Sequence, residues 1–295
     1  MLHPISFSIP DTKLCKGFPI KTKFMSDLIP GDASTYIYDT EEDYYKEYQH
    51  SYFAITKKKA GWDCMRHYEI LANRCIPYFI DIQHCPENTM ALLPKNLFID
   101  AIKLHDNYKN KQLDESFIEQ YRTLQEKFIE YTKNTLTTDK MATYVLNTSN
   151  FGDVKKILYL SGNTDPDYLR CLTLHGFKSI FGKNCHDYPK IPHIYRTDTI
   201  RYDTLYGKGM SYTNLLDARE TRDDTLDGTI VKDIENKVYD IIIYGSYHRG
   251  MPLYDNVCKV YKPNEIILLC GEDIHRCNHK QFTDRGHHVF VRELF

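Results

Sequence analysis

Residues 51–86 read SYFAITKKKAGWDCMRHYEILANRCIPYFIDIQHCP and indicate the fold more clearly than any other stretch of the chain. Residues 51–56 have the apolar, β-branched and aromatic character of a strand, and residues 75–82 have it again. Between them lie a polar loop and a short stretch with helical spacing of apolar residues. Strand, helix, strand is the repeating unit of parallel sheets, so this stretch predicts an α/β fold.

The second half of the chain contains further segments with strand character. Continuous apolar runs such as DIIIYG and EIILLCG are typical of parallel strands buried on both faces. Together the predicted strands cover residues 51–56, 75–82, 156–161, 238–245, 265–271 and 288–292, and helices are predicted at 40–49, 114–134 and 138–146. KSIFG, which follows the helical stretch after residue 166, is predicted as another strand, and residues 1–31 as irregular. This alternation predicts doubly wound, Rossmann-like sheets.

The length of 295 residues suits two lobes of roughly 150 residues each. A polar turn, NTSNFGD, begins at residue 147 and precedes the strand KKILYLSG. We therefore predict a first lobe of residues 1–148 and a second of residues 149–295.

Composition excludes several classes of partner. The net charge is −2 and the pI about 6.7, with acidic and basic residues interspersed, which argues against a nucleic-acid partner. No apolar run approaches the ~20 residues of a membrane span. The nine cysteines include no CxxC pair and are interpreted as reduced thiols, which predicts a cytoplasmic location.

Arg66 and Glu69 are three positions apart on the predicted helix and so share one face. Gly61 lets the backbone approach a ligand closely, and the helix start beside it offers free amides to a diphosphate. Lys57 leads a run of three lysines that would attract the same anion. The spacing also fits an ordinary surface ion pair between Arg66 and Glu69.

The phrase RHYEILANRCIP, at residues 66–77, resembles the donor-binding signature of exostosin-like glycosyltransferases and, more loosely, of other glycosyltransferases with the GT-B fold of two Rossmann-like lobes. The longer phrase around it is similar to glycosyltransferases of large DNA viruses. The resemblance implies that Gly61, Arg66 and Glu69 bind the donor, with Arg66 on the diphosphate and Glu69 on the ribose. Since the motif lies near the N-terminus, the donor lobe is expected to come first, a swapped order.

The same resemblance implies the reaction. A sugar would pass from a nucleoside diphosphate sugar to a hydroxyl of a glycan acceptor, and the transfer is expected to be inverting. UDP is the favoured nucleotide and, among its sugars, a pentose such as xylose is favoured, although the sugar itself stays open.

Three loops that follow strands of the second half carry candidate chemistry, because ligands in open α/β sheets bind beyond the carboxyl ends of the strands. The candidate catalytic residues are Asp273, His248 and Asp165. Each is of a residue type that can act as a general base and take a proton from the acceptor hydroxyl. Arg249 is a candidate for the leaving phosphate. For Asp165 a structural role is favoured over catalysis, because Thr164 or Asp165 is expected to cap the helix that begins near residue 166.

Two alternatives remain. Asp165 and Asp167 form a DxD pair, which is typical of metal-dependent GT-A transferases. Alternatively, the chain is a glycan-binding protein without catalysis. Glu272, Asp273, His275 and Cys277 include zinc-ligand types, yet a site would need more ligands in workable geometry. We therefore predict no metal and no required cofactor, with the UDP-sugar as donor substrate.

Overall fold

The computed structural model describes residues 1–197, 199–273 and 277–295, which form two parallel β-sheets with helices around them. The strands of these residues are β1 (Leu2–Pro4), β2 (Lys23–Met25), β3 (Ser51–Thr56), β4 (Ile76–Phe79), β5 (Ile157–Ser161), β6 (Cys185–Tyr188), β7 (Ile241–Gly245), β8 (Ile266–Cys270) and β9 (His288–Val291). One sheet has the order β1-β9-β8-β7-β5-β6 and the other β2-β3-β4. The predicted α/β class with parallel sheets is thereby confirmed, and the two sheets are compatible with Rossmann-like lobes. The GT-B arrangement and the order of the lobes stay predictions.

The larger sheet has a topological switch point. From β5 the chain crosses to β6 at one edge and then returns to β7 on the opposite side of β5, so β5 pairs with both. β8 and β9 continue outward from β7. The connections that begin with the loops after β5 and β7 lead to opposite sides of the sheet, and such a point is where open α/β sheets bind ligands.

The α-helices of the described chain are α1 (Glu41–Gln49), α2 (Met65–Ala72), α3 (Lys95–Tyr108), α4 (Glu115–Tyr131), α5 (Thr138–Thr148), α6 (Tyr168–Phe181), α7 (Ala218–Thr221), α8 (Ile230–Glu235), α9 (Tyr254–Val260) and α10 (Lys280–Thr283). A π-helical turn, Thr132–Leu136, follows α4. No helix among these residues is long and apolar enough to cross a membrane.

Local sequence accounts for the helix starts. The Thr40 hydroxyl accepts a hydrogen bond from the Asp43 amide (3.1 Å) and caps α1, whose first turn is acidic as the helix dipole favours. Asp114 caps α4 in the same way through the Phe117 amide (2.8 Å). Helix α4 buries one apolar face, as its spacing predicts.

One apolar core spans both halves of the chain, from Ile5 near the N-terminus to Phe290 in β9. Helices α5 and α6 meet within it so closely that a Cβ on Gly176 would lie 2.0 Å from the Thr138 carbonyl oxygen. A second core covers the opposite face of the six-stranded sheet. Packing therefore joins α5, from the first 148 residues, to the sheet of the second half.

Several expectations from the sequence need correction. Residues 1–31 are not wholly irregular, because they contain β1 and β2, and β1 joins the six-stranded sheet by pairing with β9. The sequence KSIF is the end of α6, and the following strand is β6, Cys185–Tyr188. The division near residue 148 stays a prediction.

Not every cysteine is a free thiol. Cys270 and Cys277 form a disulfide across the segment that follows β8, whereas the other seven cysteines are unpaired. The expectation of wholly reduced cysteines was therefore wrong for this pair, because sequence separation alone does not show which sulfurs meet in space.

Candidate functional site

The loop between β3 and α2 is fixed by a buried histidine. His67 donates from Nε2 to the Trp62 carbonyl oxygen (2.8 Å) and hydrogen-bonds through Nδ1 to the Thr56 hydroxyl (3.0 Å). Burial lowers the pKa of His67 to about 3, so the ring stays neutral. The loop from residue 57 to residue 64 is thus held against the helix that carries Arg66 and Glu69.

Arg66 is buried, and none of the described carboxylates pairs with it. Its side chain donates from Nε to the Tyr36 hydroxyl (3.0 Å), and the guanidinium lies 5.9 Å from the centre of that ring. Within the described part of the chain its Nη1 atom has no hydrogen-bond partner, and no acidic side chain pairs with it within 4.0 Å. A buried cation with an unused donor is costly unless a ligand completes it.

Glu69 lies on the same helix, also buried, among hydroxyl groups. It accepts hydrogen bonds from Tyr44 on α1 (2.7 Å) and from Ser211 of the second half (2.5 Å). Burial raises the pKa of the Glu69 carboxyl, and the two hydroxyl donors and the Arg66 charge lower it only in part. The surface ion pair with Arg66, which was the alternative interpretation of the spacing, does not form, because both side chains are buried and each has its own partners.

The segment that carries Ser211 is tied to the first half by further bonds. The Ser211 amide donates to Glu41 (2.6 Å), and the Ser211 hydroxyl hydrogen-bonds to Tyr45 (2.7 Å). Lys208 pairs with Asp39 (2.7 Å). This segment therefore covers the Glu69 carboxylate in the structure.

The switch point of the large sheet approaches α2 from the other side. Tyr168 begins α6, and burial raises the pKa of its phenol well above the usual value, with the Glu69 carboxylate raising it further. Asp167 caps α6 through the Arg170 amide (2.9 Å) and pairs with Arg249 Nε (2.7 Å). The cap is therefore Asp167, and the expectation of Thr164 or Asp165 was wrong.

The loops after β5 and β7 touch each other. A Cβ on Gly162 would lie 2.3 Å from the Arg249 carbonyl oxygen, so only glycine fits. Beside this contact His248 is half-buried, its Nδ1 has no partner among the described residues, and burial lowers its pKa. His248 and Arg249 thus lie after β7, at the switch point. Their roles in binding and catalysis stay a prediction.

Gly61 lies at a cluster of charged side chains that links the two sheets. Arg292 and Glu293, which follow β9, are buried here, and Arg292 donates to Glu293 (2.9 Å) and to the Asp63 carbonyl oxygen. The Glu293 carboxylate accepts from the backbone amides of Trp62 and Asp63, at 3.0 Å each. The amides predicted to receive a diphosphate therefore already hold an internal anion.

Asp273 is exposed and lies beside this cluster. Its carboxylate pairs with Arg292, and its carbonyl oxygen is 3.0 Å from where a Cβ on Gly61 would be. Asp165 is exposed, with Asn163 as its hydrogen-bonding partner. Of the three candidate bases, the structure brings Asp273 next to the Gly61 loop and leaves Asp165 on the surface.

The structure does not bring the remaining predicted residues together into one site. Lys57 is exposed at the start of the loop, and Lys58 lies 5.2 Å from the centre of the Trp62 ring. Of the zinc-ligand types, His275 lies outside the described residues and Cys277 is in the disulfide. The DxD pair is divided, since Asp167 is buried against Arg249 while Asp165 is exposed.

Arg292 and Glu293 were missed by the sequence reasoning, as was Ser211. A signal for the first two existed, because they directly follow the buried strand HVFV. Asp273 was chosen as a candidate for the same reason, since it follows a buried strand. Ser211 lies in a segment without regular periodicity, and nothing in the sequence marks it as a neighbour of Glu69.

Comparison of the chain with protein-family models, with curated proteins and with solved structures finds no match.

Proposed function

We propose that this chain is a GT-B glycosyltransferase with its donor lobe first, which moves a sugar from a nucleoside diphosphate sugar to a hydroxyl of a glycan. The observation that carries the proposal is the buried guanidinium of Arg66, whose Nη1 donor has no partner in the part of the chain that the structure describes. A phosphate oxygen is an acceptor that matches this fork of donors. UDP is the proposed nucleotide, with UDP-xylose among the favoured donors.

Glu69 supports the same assignment. In the structure its carboxylate takes hydrogen bonds from two hydroxyl groups, those of Tyr44 and Ser211. A ribose offers two neighbouring hydroxyls, so it matches in kind what Glu69 already accepts. On binding, a ribose hydroxyl would replace the Ser211 hydroxyl as the donor to the Glu69 carboxylate, which would stay where it is.

The proposed reaction is a single inverting displacement. A base takes the proton of the acceptor hydroxyl, the oxygen attacks the anomeric carbon, and the bond from that carbon to the diphosphate oxygen breaks. The departing nucleoside diphosphate keeps the electron pair, and Arg66 stabilises its charge. Asp273, next to Gly61, and His248, at the switch point, are the proposed alternatives for the base.

Ligand-induced thermal stabilisation tests the proposal. Purified protein is heated with UDP, GDP or a UDP-sugar, with and without EDTA, and a ligand at 100 times its dissociation constant should stabilise the fold by ~2.7 kcal/mol. Arg66→Met should weaken UDP by roughly 10- to 150-fold, the equivalent of the 1.5–3 kcal/mol typical of hydrogen bonds to charged groups. Arg219→Met, which removes an exposed arginine on α7, is the matched control and should bind as wild type does.

The outcomes separate the alternatives. Stabilisation that EDTA abolishes would favour the metal-dependent GT-A alternative. Folded protein that no nucleotide stabilises, but that binds glycans, would favour the binding protein without catalysis. Equal UDP affinity in Arg66→Met and wild type would remove Arg66 from the site and with it the main support for the proposal.

A further inference from the structure

The segment that follows β9 inserts a carboxylate into the loop before α2. Glu293 is buried, and its Oε2 and Oε1 atoms accept from the Trp62 and Asp63 amides, respectively, at 3.0 Å. The segment is anchored farther along by Thr89, whose hydroxyl donates to the Leu294 carbonyl oxygen (2.8 Å). Two successive amides that converge on one anion are the arrangement that also binds phosphate oxygens.

The loop is shaped around this carboxylate. A Cβ on Gly61 would lie 2.6 Å from Glu293 Oε1, so glycine is required by the presence of the acid. Arg292 supplies a buried positive charge to the same oxygen (2.9 Å). Amides, a glycine and an arginine thus surround one anion site, and a side chain of the protein occupies it.

We propose that Glu293 is an internal competitor, whose carboxylate occupies the Trp62 and Asp63 amides that bind the diphosphate of the donor. A diphosphate reaches these amides only when the carboxylate leaves them. The inference rests on the proposed function, since it concerns the same nucleotide-sugar donor. It adds that Glu293 controls the access of the diphosphate to these amides.

The groups around Glu293 shift its protonation. Arg292 faces it from the end of β9, Asp63 and Cys64 from the loop and start of α2, and Cys85 from the segment after β4. Asp273 contacts the same arginine and shares its charge. Burial raises the pKa of Glu293 to about 7, although Arg292 and the two amides oppose this. Near neutral pH part of the Glu293 population is therefore protonated, and a neutral carboxyl competes with an anionic ligand less strongly than a carboxylate does.

Glu293→Gln tests the proposal because glutamine keeps the size and one acceptor oxygen but removes the charge. UDP and inorganic pyrophosphate are titrated by calorimetry at pH 7.5. Glu293→Gln should bind each roughly tenfold more tightly than wild type, a change equivalent to ~1.4 kcal/mol. Glu87→Gln, an exposed carboxylate near Thr89, makes the same change in net charge and should leave the affinity unaltered.

A second measurement uses wild-type protein and does not depend on the variant folding. The affinity for a UDP-sugar, whose diphosphate diester does not titrate near neutral pH, should weaken as pH rises from 6 through about 7, the pKa of Glu293, because the competing carboxylate ionises. In Glu293→Gln this dependence should flatten, which separates Glu293 from His248.

The two proposals fail in different ways. If wild type and Glu293→Gln bind UDP equally, or the variant binds it more weakly, Glu293 is not a competitor and the proposed function still stands. If neither folded protein binds UDP or pyrophosphate, the proposed function fails and this inference fails with it.

Discussion

Replacing Gly176 with alanine tests the contact that joins helix α5 to helix α6. The added Cβ would lie 2.0 Å from the Thr138 carbonyl oxygen and 2.7 Å from the carbon of that carbonyl. Both atoms belong to backbone at the start of α5, so relief requires the two helices to move apart. Overpacking of this kind costs ~1–3 kcal/mol.

Alanine also gains up to ~1 kcal/mol over glycine in a helix interior, which offsets part of that cost. With backbone as the obstacle the cost should be near its upper end, so the net loss of unfolding free energy is about 2 kcal/mol. For a chain of this length that corresponds to a fall in Tm of roughly 3 °C. Urea unfolding followed by far-UV circular dichroism measures the free energy directly.

Gly228→Ala is the matched control, because no described residue other than its chain neighbours lies within 4 Å of the Cβ it would add. It should leave the unfolding free energy within ~0.5 kcal/mol of wild type, as surface substitutions usually do. If Gly176→Ala has the same unfolding free energy as this control, the close packing of α5 against α6 is refuted. The attachment of α5 to the six-stranded sheet would then need another explanation.

Two further predictions concern the charged cluster near Gly61. Gly61→Ala should push the Glu293 carboxylate off the Trp62 and Asp63 amides and lower the unfolding free energy, measured by urea unfolding, by ~1–3 kcal/mol. In a Glu293→Ala background the same substitution should cost less. An equal loss of unfolding free energy in that background would rule out the contact with Glu293 as its cause. Since the pKa of Glu293 rises from 4.5 to about 7 in the folded chain, the folded state holds its proton to higher pH, so this group makes unfolding free energy fall as pH rises from about 4.5 to about 7. The decline should be smaller in Glu293→Gln across pH 5–8, and parallel profiles would contradict it.

Sequence patterns predicted the buried strands well because continuous apolar runs leave few alternatives. DIIIYG and EIILLCG became β7 and β8, and the periodic stretch after Asp114 became α4. The missed strands lack that signal. β1 and β2 have three residues each, and β6 contains His186 and Asp187, so each is fixed by its neighbours in the sheet and not by its own pattern.

The candidate site divides in a similar way. Local spacing correctly put Arg66 and Glu69 on one short helix, with Gly61 in the loop before it. It did not predict that both side chains would be buried, because the groups that bury them are distant in sequence. Ser211 is 142 residues from Glu69, and Glu293 is 231 from Trp62. Such contacts depend on how two sheets meet, which periodicity along the chain does not encode.

The two distant contacts have a common chemical character. At Glu69 a serine hydroxyl lies where a ribose hydroxyl is proposed to bind, and at the Trp62 and Asp63 amides a carboxylate lies where a diphosphate is proposed to bind. Both groups come from the second half of the chain. A donor that took both places would break two links between the halves and replace them with its own, so its binding should be coupled to the separation of α2 from Ser211 and Glu293. The donor would make its own contacts only where α2 has separated from Ser211 and Glu293, so it would bind that state more tightly than the closed one. This difference in affinity is what a ligand needs in order to drive the separation.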